Sequence, residues 1–382
     1  MLLNNVLSLI KNFKSKTYQK TTDVLNVYIE QDGNSVIVRC DDNKFVFNVT
    51  GNASPSIECA DFAVWLCLPI AMSEGRDLFV HGEGTAETIL NAEKLSDIWA
   101  SWLPRQYSMI NVSFFSCRTS QPKTTLKRPL MCFSGGIDST YSLITNDFGD
   151  KLPDLLTVQG MDYGVEDKSR FEAAIIKTNQ LVSELGVNRV FVESNAYDIY
   201  KKYKIGGQLS HVFLLAAAGF MFSNSYESLY LAADHSYYQQ FEVFPAGSTF
   251  ASNRYFDSGD YQLITHGEDV TRAEKLTVIA NHHSALRSIS FCKNRRVRPE
   301  NCGLCSKCLR TKYMFLASIG YIPEESFLNA SVPTYKSLKF SKHKGLSDSY
   351  IKDTYKVAFR SKNLAKVPLI VEEFKRISGN KG

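Results

Sequence analysis

A chain of 382 residues that is 44% hydrophobic and 22% charged has the composition of a globular protein with two or three cores of ordinary size, which excludes a disordered or fibrous chain. No apolar run approaches the roughly 18 residues of a membrane span, and Met1 to Lys20 lacks the unbroken apolar centre and small-residue cleavage site of a signal peptide, so a cytoplasmic protein is expected. The net charge of +5 is concentrated at one end, with 12 Lys/Arg against 4 Asp/Glu from Ser331 to Gly382. Such a basic tail either steers a polyanion such as tRNA toward the protein or is a solvated helical end.

In chain order, residues 1–22 form an N-terminal segment. Val24 to Ile29 and Ser35 to Arg39 alternate apolar and polar around Gln31-Asp32-Gly33-Asn34, a hairpin signal, and Lys44 to Val49 gives a third strand. Asp61 to Met72 reads as a helix that Pro69 interrupts, Leu78 to His81 as a short strand, Thr85 to Trp102 as a helix and Tyr107 to Ser116 as a strand. These predict an α+β accessory domain over 23–117 with no catalytic constellation. His81, Trp65, Trp99 and Trp102 read there as structural residues. Residues 118–127 are polar enough for a linker.

From Arg128 the rhythm changes. Strands at Leu130 to Phe133, Leu155 to Gln159, Arg189 to Glu193 and Leu229 to Ala233 alternate with helices at Ser139 to Thr145, Lys168 to Leu185 and Leu209 to Phe222. The expected fold class is α/β, a doubly wound parallel sheet over 128–325 whose ligands sit beyond the carboxyl ends of the strands. A basic helical tail over 326–382 follows. Tyr335, Tyr350, Tyr355 and Phe359 punctuate it at a spacing that suits helix packing as well as base stacking.

The most informative stretch is Met131-Cys132-Phe133-Ser134-Gly135-Gly136-Ile137-Asp138-Ser139-Thr140. A buried strand breaks at a glycine pair and passes into a helix start, so backbone N–H groups and a helix dipole converge on one point. Ser134, Ser139 and Thr140 add hydroxyl donors, and Asp138 can cap the turn or hold a magnesium ion, so a polyphosphate is the implied ligand. The lysine of the common phosphate loop is absent here. Thr271, Arg272 and Lys275 share the opening turns of a helix that follows His266-Gly267-Glu268-Asp269, and Arg272 and Lys275 are the cations expected to offset charge on a leaving pyrophosphate. Past the strand ends, Asp162, Tyr163, His211, Asp234 and His235 form the candidate substrate-facing set. The carboxylates would orient a ribose or heterocycle and the histidines would move a proton, against the alternative of caps and structural histidines. His266, His282, His283 and His343 carry no assignment.

Cys292, Cys302, Cys305 and Cys308 form the second signal, one cysteine and then Cys-x-x-Cys-x-x-Cys. In a cytoplasmic chain this spacing favours metal over disulfides. Four thiolates would close a structural zinc site that clips the following helix to the loop bearing Arg295, Arg296 and Arg298. An iron–sulfur cluster or unligated thiols are the alternatives. Cys40, Cys59, Cys67, Cys117 and Cys132 show no such spacing and read as small hydrophobes.

Ser134-Gly135-Gly136-Ile137-Asp138-Ser139 resembles the signature of the PP-loop ATP pyrophosphatases, which have the adenine nucleotide alpha hydrolase-like fold, grip the outer phosphates of ATP and release AMP and pyrophosphate. With Asp162-Tyr163-Gly164, Lys275 and the four cysteines, the stretch from about Arg128 to Gly320 is similar to the 7-cyano-7-deazaguanine synthases. That resemblance implies ATP on Ser134, Gly135, Gly136, Asp138 and Ser139, and zinc on Cys292, Cys302, Cys305 and Cys308. It also implies a carboxylate substrate of 7-carboxy-7-deazaguanine type that is adenylated and then attacked by ammonia. The chain departs from that family in its extra N-terminal domain and basic tail, in Gly206-Gly207-Gln208-Leu209-Ser210-His211, and in Phe244-Pro245-Ala246-Gly247-Ser248. Enlarged relatives in antiphage defence are similar in chemistry but join the activated deazaguanine to a protein amine, for which the N-terminal domain would be the docking site. A PP-loop tRNA-modifying thiolase or lysidine-type ligase, and a silent nucleotide-binding interaction protein, are the other readings.

Overall fold

The computed structural model describes residues 23–120, 127–145, 148, 151–242, 246–333, 339–341 and 344–379. The expected N-terminal segment, most of the 118–127 linker, Phe244, Pro245, Tyr335 and His343 lie outside them. The chain begins with β1 (Val24–Asp32), β2 (Ser35–Cys40) and β3 (Asn43–Gly51), joined as antiparallel neighbours. Asp32 pairs with Ser35 across a two-residue turn, where Gly33 takes φ +55°, the left-handed geometry that such a hairpin requires.

Helix α1 (Asp61–Glu74) is buried at every position from Asp61 to Met72, as expected of a helix that is apolar all round. It runs through Pro69, which forgoes one intrahelical hydrogen bond without ending the helix. Then come β4 (Asp77–Thr85), α2 (Ala86–Trp102) and β5 (Val112–Arg118). The last strand starts five residues later than its alternation predicts, because Asn111 N–H and its side-chain amide are both held by Asp77, each at 2.9 Å, which fixes the chain there before it enters the sheet.

The second half supplies β6 (Leu130–Cys132), α3 (Ile137–Thr145), β7 (Asp154–Gln159), α4 (Lys168–Leu185) and β8 (Arg189–Ser194). After these come α5 (Ala196–Lys202), α6 (Gly207–Phe220), β9 (Leu229–Ala232), α7 (Tyr237–Glu242), α8 (Phe250–Asn253) and β10 (Leu263–His266). β10 is not predicted from the sequence, since four residues are too few to show a period. The strands of this half pair in parallel in the order β10-β9-β6-β7-β8. Numbered within the half, that is 5-4-1-2-3, the doubly wound arrangement, with its topological switch between β6 and β9.

The expected separation between the two halves is corrected by the sheet. β3 pairs antiparallel with β8, from Phe47 opposite Ser194 to Gly51 opposite Val190, so one mostly parallel ten-stranded sheet runs β10-β9-β6-β7-β8-β3-β2-β1-β4-β5. A lone β8 would present an unpaired edge, and β3 covers it. α1 seals the join by packing on α6: Trp65 meets Phe220 and Phe256 edge-on at 5.7 and 5.3 Å, and the Tyr200 hydroxyl donates to Leu66 O at 2.7 Å. One apolar core therefore holds residues of both halves.

The opposite face is covered by α3 and α4 together with α9 (Arg272–Ile279), α10 (His283–Ser288), α11 (Ser306–Ser318), α12 (Lys344–Arg360) and α13 (Pro368–Gly379). The basic tail is helical as predicted. α12 buries Leu346, Tyr350, Ile351, Val357 and Ala358 against its neighbours, and Tyr355 stacks on Phe374 at 3.8 Å, while Phe359 is exposed. Most of the tail's aromatic residues thus serve packing.

Candidate functional site

The glycine loop leaves β6 at its carboxyl end, beside the switch point. Phe133 N–H still donates to Leu156 O at 2.8 Å, and the chain then turns through Gly135 at φ +68° into α3, whose first bond runs from Thr140 N–H to Gly136 O at 2.9 Å. Glycine is required at position 135 on two counts: the positive φ, and a Cβ that would stand 2.8 Å from Thr178 Cγ2 on α4. Ser134 Oγ accepts from Gly136 N–H at 3.3 Å and lies 3.4 Å from Ser139 Oγ. Ser134, Gly135, Gly136, Asp138 and Ser139 all face a cavity of about 500 Å³, a volume suited to a small-molecule ligand. Thr140 is a correction. Fully buried, with no partner for its Oγ1 among the described residues, it lies outside the cavity wall, because the helical turn carries it to the core face of α3.

α9 begins with a capping box: Glu274 N–H donates to Thr271 Oγ1 at 3.4 Å, and Thr271 N–H donates back to Glu274 Oε2 at 2.9 Å. That start aims Arg272 and Lys275, one turn apart, at the same carboxylate. Arg272 Nε donates to Asp138 Oδ1 at 3.3 Å and Arg272 Nη2 to Asp138 Oδ2, while Lys275 Nζ donates to Asp138 Oδ1 at 3.2 Å and to Ala233 O at 2.7 Å. Lys275 is 1% exposed.

Burial disfavours the charged form of Asp138, but Arg272 and Lys275 outweigh it and hold the carboxyl below its usual range. A depressed folded-state value contributes stability above the unfolded carboxyl value of about 4 and loses it as pH falls through the folded one. The stability gap between the wild type and Asp138→Asn should therefore be widest near neutrality and narrow below about pH 4. Urea unfolding at a series of pH values measures it, and a gap independent of pH would contradict the pairing.

Asp162 and Tyr163, after β7, and His211, on α6, line the same cavity with Asp234, after β9. Asp162 pairs with Arg298 at 2.8 Å. His211 Nε2 lies 3.5 Å from Asp234 Oδ2, and the Asp234 side chain, 45% exposed, is open to the cavity. Burial pushes the Asp234 carboxyl up, but the His211 hydrogen bond and the charges around it prevail and hold it low. His235 corrects the sequence reading. It is 8% exposed and outside the cavity wall, its Nε2 has no partner among the described residues, and burial pushes it down to about 4, so it is a neutral core histidine facing Tyr350. His81 is structural as expected, stacked on Tyr28 at 4.0 Å and bonded to Asn26.

Sequence reasoning missed Arg189, Tyr197 and Lys307, which also line the cavity. Arg189 donates to Thr178 Oγ1 at 2.6 Å, lies over the Phe133 ring, and is pushed down to about 10 by burial. Only its position inside a predicted strand could have marked it as buried. Lys307 sits between Cys305 and Cys308, where the metal spacing drew attention to the thiols instead.

The four cysteines converge. Their sulfurs lie within 4.8 Å of one another, with Cys292–Cys305, Cys302–Cys308 and Cys305–Cys308 separations of 3.8, 3.9 and 3.5 Å. Those lengths are too long for disulfides and match the edges of a tetrahedron with zinc–sulfur bonds of about 2.3 Å, which are about 3.8 Å. Backbone N–H groups of Asn294, Leu304 and Cys305 point at the Cys292 and Cys302 sulfurs at 3.3 to 3.4 Å, the kind of outer donor that steadies thiolate ligands. The cluster can hold a metal ion such as zinc. Cys305 caps α11, and Arg298 Nε donates to Cys292 O at 2.6 Å, so the cluster fixes both the helix bearing Lys307 and the arginine that reaches Asp162.

No family model matches this chain, and neither the curated proteins nor the solved structures hold a match to it. Among the described residues no helix is long and apolar enough to cross a membrane.

Proposed function

We propose that the chain is an ATP-dependent, AMP-forming carbon–nitrogen ligase that adenylates a carboxylate of 7-carboxy-7-deazaguanine type and passes it to an amine. The observation that carries this reading is the glycine loop at the switch point of a 5-4-1-2-3 sheet, with Asp138 gripped by Arg272 and Lys275 from the neighbouring helix. The backbone N–H groups of Gly135 and Gly136 and the hydroxyls of Ser134 and Ser139 would hold the outer phosphates of ATP. The acid's oxygen then attacks the α-phosphorus and the bond to pyrophosphate breaks. Arg272 and Lys275 offset the charge on that leaving group. Attack by the amine on the acyl adenylate displaces AMP.

Both oxygens of Asp138 already accept from cations, so Asp234, open to the cavity, is the carboxylate that would hold a magnesium ion, whose charge would balance the phosphates. Asp162, Tyr163 and His211 would meet the ring of the acid. Zinc on the four cysteines would be structural, since four thiolates leave no open position. The acceptor is ammonia or the N-terminus of a partner protein, for which the surface of the N-terminal half is the proposed docking site.

Incubation with ATP, magnesium and 7-carboxy-7-deazaguanine, with and without ammonium, tests this by chromatography. AMP that depends on the acid supports the proposal. AMP only on addition of RNA would move the protein to the tRNA-modifying reading, nucleotide binding without AMP would leave an interaction protein, and ADP as the sole product would overturn the chemistry.

A further inference from the structure

Helix α11 carries more charge toward the site than the cavity wall alone displays. Lys307 lines the cavity, and Arg310 follows one turn later on the same face of the helix. Arg310 is 5% exposed, and its Nε has no hydrogen-bond acceptor among the described residues. Among the described residues it forms no ion pair, although Asp138 and Arg272 are near enough for their charges to act on it. What it touches is an aromatic face: the guanidinium carbon lies 3.9 Å from the centroid of Tyr350 on α12. The Tyr350 hydroxyl in turn stands 3.5 Å from Arg272 Nη1.

Two buried cations, Lys275 and Arg310, and the half-buried Arg272 are thus gathered near Asp138, which hydrogen-bonds to Arg272 and Lys275 alone of the three. Burying a guanidinium is unfavourable unless an anion or a π-face compensates it, and a single ring compensates only in part. The surplus positive charge lies around Asp138, in the first turn of α3, where a second anion would balance it.

We infer that helix α12, the basic tail of the sequence, completes the pyrophosphate end of the site: Arg310 is a third phosphate-binding cation, and Tyr350 is the positioning residue that holds Arg310 and Arg272 toward the outer phosphates of the nucleotide. The inference rests on the proposed AMP-forming reaction and deepens it by assigning a role to the C-terminal helices. The tail then acts through a buried ring.

Calorimetric titration of the full chain with inorganic pyrophosphate and, separately, with AMP tests it. Arg310→Met should weaken pyrophosphate binding about ten- to hundredfold, the range of a lost charge-assisted contact, and leave AMP affinity unchanged. Tyr350→Leu should weaken pyrophosphate about five- to thirtyfold, and Tyr350→Phe, which keeps the ring under Arg310 but loses the hydroxyl beside Arg272, should fall between Tyr350→Leu and the wild type. Equal losses for pyrophosphate and AMP in Arg310→Met, or no loss for either, would overturn the inference. So would a Tyr350→Phe variant as weak as Tyr350→Leu. If the wild type forms AMP and Arg310→Met still binds pyrophosphate normally, this inference alone falls. If the wild type binds neither pyrophosphate nor ATP, the ligase reading falls with it.

Discussion

Lys275→Ala should lower the rate of acid-dependent AMP formation about 10²- to 10³-fold, the usual loss when one preorganised donor to a developing oxyanion is removed. The ammonium group is 1% exposed, bonded to Asp138 Oδ1 at 3.2 Å and to Ala233 O at 2.7 Å, and outside the cavity wall, so in the proposed reaction it would act as a fixed charge behind Asp138 and would cost no reorganisation. Lys275→Arg keeps the charge but needs room that a fully buried position does not give, and it should recover only a small part of the rate. The substitution also strands Ala233 O and one Asp138 contact, so the variant's melting temperature has to be measured beside the rate. A small shift in melting with a large loss of rate is the expected pair of results. Unchanged turnover in a folded variant would remove Lys275 from the chemistry.

Metal removal is the second large effect. Elemental analysis of the purified chain should find one zinc per molecule, lost in Cys305→Ser and Cys308→Ser and retained in Cys132→Ser, whose thiol lies in the sheet far from the cluster in sequence and is pushed up to about 12 by burial. In isolated fingers the metal supplies about 10–16 kcal/mol of apparent binding energy that is also folding energy. Here the cluster sits at the start of a helix packed into an existing core, so the whole chain should not unfold without metal. The segment from Ile289 to Cys308 should instead become sensitive to protease, and α11 should lose the anchor that aims Lys307 and Arg310. Nucleotide binding should then fall with zinc occupancy even though none of the four clustered cysteines lines the cavity. A metal-free protein with intact protease resistance and ATP affinity would contradict this role.

Much of the architecture was legible because the signals were local. The glycine pair sits between an apolar run and a helix start, the capping residues Thr271 and Glu274 stand three apart, and the four thiols carry their own spacing. What escaped was non-local. The pairing of β3 with β8 joins residues 139 to 147 positions apart, and no composition shift announces it, so a polar stretch between the halves read as a domain boundary. Thr140 and His235 were misplaced for a related reason: sequence puts them beside the loop and the strand end, but the turn of the helix and the packing of α12 decide which way they face. Nothing local marks Arg310 as buried, because the ring it lies against, Tyr350, is forty residues further on.

The shared sheet has a mechanical corollary. Because five residue pairs of β3 and β8 and the whole α1–α6 contact bridge the halves, a cut anywhere in 121–126 would sever the polypeptide without parting the molecule. The two fragments should elute together under native conditions and come apart only in denaturant, and neither should melt in a step of its own.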